Sequence, residues 1–170
     1  MDDLRLATPC YVRVLRALAE IRDGIVDLTG NREMQALGEA VDLDFIKQQA
    51  EAGLFAWVSC VHMVHALHQA VQRNQAAKRD EETRAKFAEV EALMADASTS
   101  PEDQPRAFCK ALEYLLGRVN AMRIDAANNR LRLISPVIKD HGVDYERGKF
   151  QDKLNDGTLT LQRTEVGFVC

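Results

Sequence analysis

The chain has 170 residues, of which 46% are hydrophobic and 28% charged, and its 22 basic and 26 acidic side chains leave a net charge of -4. This length carries one domain with a sizeable core, and the composition excludes a chain too polar to fold. Charge this close to balance excludes a domain-wide affinity for nucleic acid or an anionic membrane, which needs a positive surplus.

With aromatics at 6% and only four prolines, the chain is predicted to be all-α, a multi-helix bundle around a long, proline-interrupted central helix. The first helix starts at Thr8-Pro9, where a hydroxyl can cap and proline loses nothing by lacking an N–H. Tyr11, Val14, Leu18, Ile21, Ile25 and Leu28 form its apolar stripe. Gly30-Asn31 ends it, and Asn31 is placed to cap a short helix carrying Met34, Leu37 and Val41. Asp42 or Asp44 caps the next turn, and Gly53 marks a bend or a close helix contact. A helix from about Ala56 to Arg73 follows, with Trp57, Val61, Val64, His68 and Val71 inward. The segment from Ala76 to Met94 reads as an exposed helix held by Phe87, Val90 and Met94.

Asp96 to Pro105 is the expected linker, with Ser100 to Asp103 as a capping box. From Phe108 the stripe is regular: Leu112, Leu115, Val119, Met122, Ala126, Asn129 and Leu133. That regularity predicts burial along most of the helix. Pro136 is expected to kink or stop it near Ile134-Ser135, because proline removes a donor and clashes with the preceding turn. A second helix then runs to about Leu154, interrupted or bent at Gly142, and Asn155-Asp156-Gly157 is a stop. Residues 1–157 are thus read as one helical domain and 158–170 as an extended arm.

Cys10, Cys60, Cys109 and Cys170 lack the close spacing that zinc sites and redox motifs use, and fit small buried hydrophobes. Asp2, Asp3 and Arg5 break any apolar leader, and no run approaches the ~20 apolar residues of a membrane span. A reduced, cytoplasmic setting is expected. His62, His65 and His68 are the one candidate metal cluster, but at ~100° per residue His62 and His68 diverge by ~120°. The expectation is His68 near the core, His65 at its edge and His62 in water, with no metal or cofactor.

Arg118, Arg123, Arg130 and Arg132 read as a solvated face paired with carboxylates rather than an anion site. Asp125, Asn128 and Asn129 form a polar knot within the regular stripe. Asn129 is read as a register-fixing core amide, or else as part of a polar site with Arg118 or Tyr145. Tyr145 and Phe150 fit core anchors, and Glu146 reaches Lys149 or Lys153 along the helix. No spacing singles out a nucleophile and base, so an enzyme is not expected.

Three segments resemble the T-complex protein 11 (Tcp11) family. In the first, an aspartate–leucine stretch leads into Ile46, Gln48, Gln49, Ala50, Glu51 and Gly53, matching the family's Ile-x-Gln-Gln-Ala-Glu-x-Gly. The second is the Arg-Asp-Glu group Arg79, Asp80 and Glu81. In the third, Pro136, Tyr145, Glu146, Lys149 and Phe150 match Arg-Pro…Tyr-Glu-x-x-Lys-Phe, with Ser135 in place of the arginine, and Thr164 corresponds to a later threonine. The resemblance implies helical, non-catalytic, longer proteins associated with cAMP and protein kinase A signalling and with sperm flagellar function. It implies a helical adaptor whose partners are kinase A-pathway or flagellar proteins. The rival readings are a structural part of the ciliary or flagellar axoneme, touching tubulin, and an enzyme or metal-binding bundle on the His62–His68 helix. The expected partner-binding residues are Asp44, Gln48, Gln49 and Glu51 on one edge, and Asp125, Asn129, Tyr145, Glu146 and Lys149 on another.

Overall fold

The computed structural model describes residues 8–159. Among them are six α-helices, one 3-10 turn and no strand, so the fold is all-α. The helices are α1 (Thr8–Thr29), α2 (Asn31–Ala40), α3 (Leu43–Glu51), α4 (Trp57–Asn74), α5 (Asp80–Thr99) and α6 (Gln104–Asn155), with the 3-10 turn at Ala77–Arg79. The chain divides into two compact units, Met1–Ala126 and Ala127–Cys170. The arm expected over 158–170, with Thr164, falls almost wholly outside the described residues.

In the first unit the apolar stripes close on one core. Leu18, Ile21 and Ile25 of α1 meet Leu37, Val41 and Ile46, together with Val64, Leu67 and Val71 of α4. Phe87, Val90 and Met94 bring in α5, and Phe108, Leu112, Leu115, Val119 and Met122 bring in the first half of α6. At Gly24 of α1 the side chains of α6 come close: an added Cβ would lie 2.7 Å from a Val119 methyl and 2.7 Å from Arg123 Nη2. Phe55 packs on Phe108 with ring centroids 6.3 Å apart.

Several local expectations change. Asn31 opens α2 as its first residue; Gly30, at φ 64, occupies the cap without a side chain to donate or accept. The linker shrinks to 100–103, because α5 continues to Thr99 and α6 starts at Gln104. There Ser100 Oγ donates to Asp103 Oδ2 at 2.9 Å and the Asp103 amide to the Ser100 carbonyl at 3.0 Å, a closed turn rather than a capping box.

The largest change is in α6. Its burial stops at Met122; Ala126 is half-buried, and Asn129 and Leu133 are exposed. The helix also neither stops at Pro136 nor breaks at Gly142. Arg132 and Pro136 are both exposed, so water can hydrate the carbonyl that proline leaves without its helical donor. The expected stop at Gly157 is present: its φ is 76, and its amide reaches the Leu154 carbonyl at 3.3 Å.

Candidate functional site: two polar edges and the network behind one of them

The α3 edge is assembled by its own caps. The Asp42 carboxylate accepts from the amides of Asp44 at 3.1 Å and Phe45 at 3.0 Å, satisfying donors that a helix start leaves open. At the other end the Leu54 amide donates to the Gln49 carbonyl at 2.8 Å and the Gly53 amide to the Ala50 carbonyl at 3.2 Å. That is the paired bonding of a Schellman terminus, and it requires the left-handed φ of 69 that Gly53 adopts. Ile46 is buried and anchors α3 to the core. Asp44, Gln48 and Glu51 are left in solvent, with Gln49 half-buried.

Asp125 is held differently. It accepts from Arg79 through Nε and, at 3.3 Å, through Nη2, and pairs with Lys78 Nζ at 2.8 Å. The Arg79 hydrogen bond, with Lys78 behind it, holds this carboxyl well below the usual carboxylate range. Arg79, first of the Arg-Asp-Glu group, is thereby tied to a residue 46 positions away. Asp80, the second, accepts from Gln75 Nε2 at 2.9 Å, while Glu81 is exposed.

From Gln75 the network runs inward. Thr83, fully buried, donates its hydroxyl to Gln75 Oε1 at 2.6 Å and accepts from Arg118 Nη1 at 3.0 Å. Arg118 is buried, not solvated as expected, and its second nitrogen donates to Glu82 Oε1 at 3.2 Å. Glu82 is held below its usual range chiefly by Lys86, at 2.9 Å, and then by Arg118. The Tyr114 hydroxyl donates to the Thr83 carbonyl at 3.2 Å, with its oxygen 3.2 Å from His68 Nδ1.

His68 is stacked on Phe87, with centroids 3.4 Å apart and planes within 5°. Burial pushes its pKa down to about 4, pushes the Tyr114 phenol up to about 12 and does the same to the Cys60 thiol. The histidine helix is arranged as expected: His68 buried, His65 half-buried and His62 exposed. Among the described residues no group of three or more His, Cys, Asp or Glu side chains is placed to hold a metal ion. What these groups form is a set of fixed hydrogen bonds and ion pairs joining α4, α5 and α6.

The remaining predicted residues lie on α6 in the second unit. Asn129, Tyr145, Glu146 and Lys149 are all exposed, as is Phe150, so the core roles expected for Asn129, Tyr145 and Phe150 are overturned. Lys149 Nζ stands 5.9 Å from the Tyr145 ring centroid, one helical turn away. No Glu146–Lys149 ion pair is formed; Asp144 and Arg147 approach to 3.7 Å instead.

Sequence reasoning passed over Glu33, Thr83 and Tyr114. Glu33 is buried in α2 and takes two bonds from Arg73, at 3.2 and 2.8 Å, and one from Asn74 at 2.9 Å. The Arg73 bonds hold its carboxyl below the usual range. A signal existed for Thr83 alone: it lies four residues before Phe87, on the buried register of α5.

A sequence model of the T-complex protein 11 family matches residues 1–168. The chain is 27% identical to the human T-complex protein 11 homolog over 166 residues, covering 93% of the chain and 28% of that protein. It is 24% identical to mouse T-complex protein 11, covering 96% of the chain and 26% of the mouse protein. To human T-complex protein 11-like X-linked protein 1 it is 23% identical, covering 96% of the chain and 29% of that protein. The chain thus spans well under a third of the length of these curated relatives. No solved structure matches it. With the family pattern matched along nearly the whole chain, and its first motif seen to build α3, the protein belongs to the T-complex protein 11 family.

Proposed function

We propose that this chain is a non-enzymatic helical adaptor that presents polar edges to other proteins in cAMP and protein kinase A signalling and in the sperm flagellum. The observation that carries the reading is a division of labour inside one motif. Ile46 is buried and Gly53 closes the terminus, so both are used in building α3. Asp44, Gln48 and Glu51 are exposed on the same rigid, doubly capped helix and do no folding work that the structure shows. Side chains of this kind are suited to recognition, because the scaffold has already fixed the backbone that carries them. On the second edge Asn129, Tyr145, Glu146 and Lys149 stand in solvent, and of these tyrosine is a residue that protein interfaces enrich. The resemblance to the family implies the signalling setting, and the family is not one of known enzymes.

The test is a cross-linking pull-down from cells that express the protein, comparing wild type with an Asp44→Ala/Gln48→Ala/Glu51→Ala variant. Kinase A subunits or their anchors are expected with wild type and lost with the variant, whose circular dichroism should not change. Recovery of tubulin and axonemal proteins instead would replace the adaptor with a fixed structural component. Partner recovery untouched by the substitutions would remove α3 from the binding surface.

A further inference from the structure

We propose that the second half of α6 is a homodimer face, covered by the same segment of a second copy running antiparallel. Along this segment Leu131, Ile134, Ile138 and Tyr145 recur at steps of three, four and seven residues, which places them on one helix face. They are 59%, 47%, 57% and 62% exposed. This face is not a continuation of the buried stripe, whose register from Met122 passes through Ala126, Asn129 and Leu133. Large apolar side chains lined up in water on one helix call for a covering surface.

Charge identifies the cover. From 127 to 139 the charged residues are Arg130, Arg132 and Lys139, with no carboxylate among them. From 140 to 145, the stretch that an antiparallel copy sets against 127–132, the charged residues are Asp140 and Asp144, with no Lys or Arg among them. Two copies in parallel would set the basic stretch against the basic stretch. Antiparallel copies set basic against acidic at both ends, and a two-fold axis closes the arrangement.

The side chains select a register. With Ile134 of one copy opposite Ile138 of the other, the axis passes near Pro136, whose ring lies on the outer side of the helix. Leu131 then faces His141, and Tyr145 faces Ala127, a large residue against a small one. The flanking positions just before Leu131 and Tyr145 are Arg130 and Asp144. In this register they lie side by side across the interface, twice, with Val137 beside its own copy at the centre. Asp144 would exchange a loose approach to Arg147, at 3.7 Å between two exposed groups, for this second neighbour.

Sedimentation of the 170-residue chain over a range of concentrations tests the proposal, with circular dichroism to verify that each variant is folded. Wild type is expected to form a reversible dimer. Ile138→Glu, at an exposed position, is expected to be monomeric throughout. Arg130→Asp and Asp144→Arg each place like charges together twice and should raise the dimer Kd by about tenfold or more, while the double variant should return it towards wild type. A wild-type chain that stays monomeric would overturn the proposal. So would a dimer indifferent to Ile138→Glu, or a double variant no tighter than the single ones, since only the antiparallel register joins residues 130 and 144.

Discussion

His68 stays neutral because its ring is buried against Phe87, and its pKa falls from 6.5 to about 4. As pH drops, the unfolded chain takes up the histidine proton first. The stability this group contributes is therefore complete above pH 6.5 and is lost as pH falls toward 4. Between pH 7.5 and pH 5 the loss should be about 2 kcal/mol, measured by urea unfolding, and His68→Phe should remove that slope whatever it does at neutral pH. Glu33, Glu82 and Asp125, whose pKa values are lowered, contribute to acid unfolding in a more acidic range. Arg118 gives a second test. Its guanidinium bonds to Thr83 and Glu82, and its stem is buried. Glu82 retains Lys86 and water when Arg118 is truncated, so no carboxylate is stranded in the core. Arg118→Ala should cost about 2–3 kcal/mol, and Arg118→Met, which restores the stem but not the bonds, should recover part of it in the same unfolding measurement.

At the scale of elements, Gly24 and Gly117 should respond oppositely to the same substitution. An alanine methyl at Gly24 meets a Val119 methyl at 2.7 Å, and Val119 is buried and β-branched, so it cannot swing away. At Gly117, inside α6, an added Cβ meets nothing within 4 Å. Thermal unfolding should show Gly24→Ala destabilised by about 1–2 kcal/mol despite its better helix propensity, and Gly117→Ala stabilised by about 0.5–1 kcal/mol. Helix positions were readable because apolar spacing reports a face: α1, α3, α4 and the buried side of α5 lie where their stripes place them. Spacing does not report what covers the face. The stripe from Phe108 continues unchanged through Leu133, yet only the part up to Met122 has a core to enter. Pro136 does not stop the helix for a related reason: its cost depends on whether the freed carbonyl reaches water, a matter of exposure and not of sequence. For the candidate site, the α3 edge was legible because its cap, anchor and glycine are neighbours in sequence. The Arg79–Asp125 pair and the bond from Arg118 to Thr83 were not, since each joins residues tens of positions apart.

At the scale of the whole molecule, the two units differ in what holds their helices. Every buried apolar residue among those described lies at or before Met122, and none lies between 127 and 159. The first half of α6 therefore opens only if core contacts are lost, whereas the second half relies on local hydrogen bonds, and a helix of that length in water is marginal without a packed face. Hydrogen exchange at low protein concentration should show this directly. Amides from 108 to 122 should exchange slowly, through near-global opening, and those from 131 to 154 should exchange faster by orders of magnitude. Raising the concentration should slow the second set, because a copy bound only to the ordered helix stabilises it by mass action. Protection of 131–154 that is strong and independent of concentration would show that the helix holds itself without a partner. Protection that is weak at every concentration would show that no second copy settles on it.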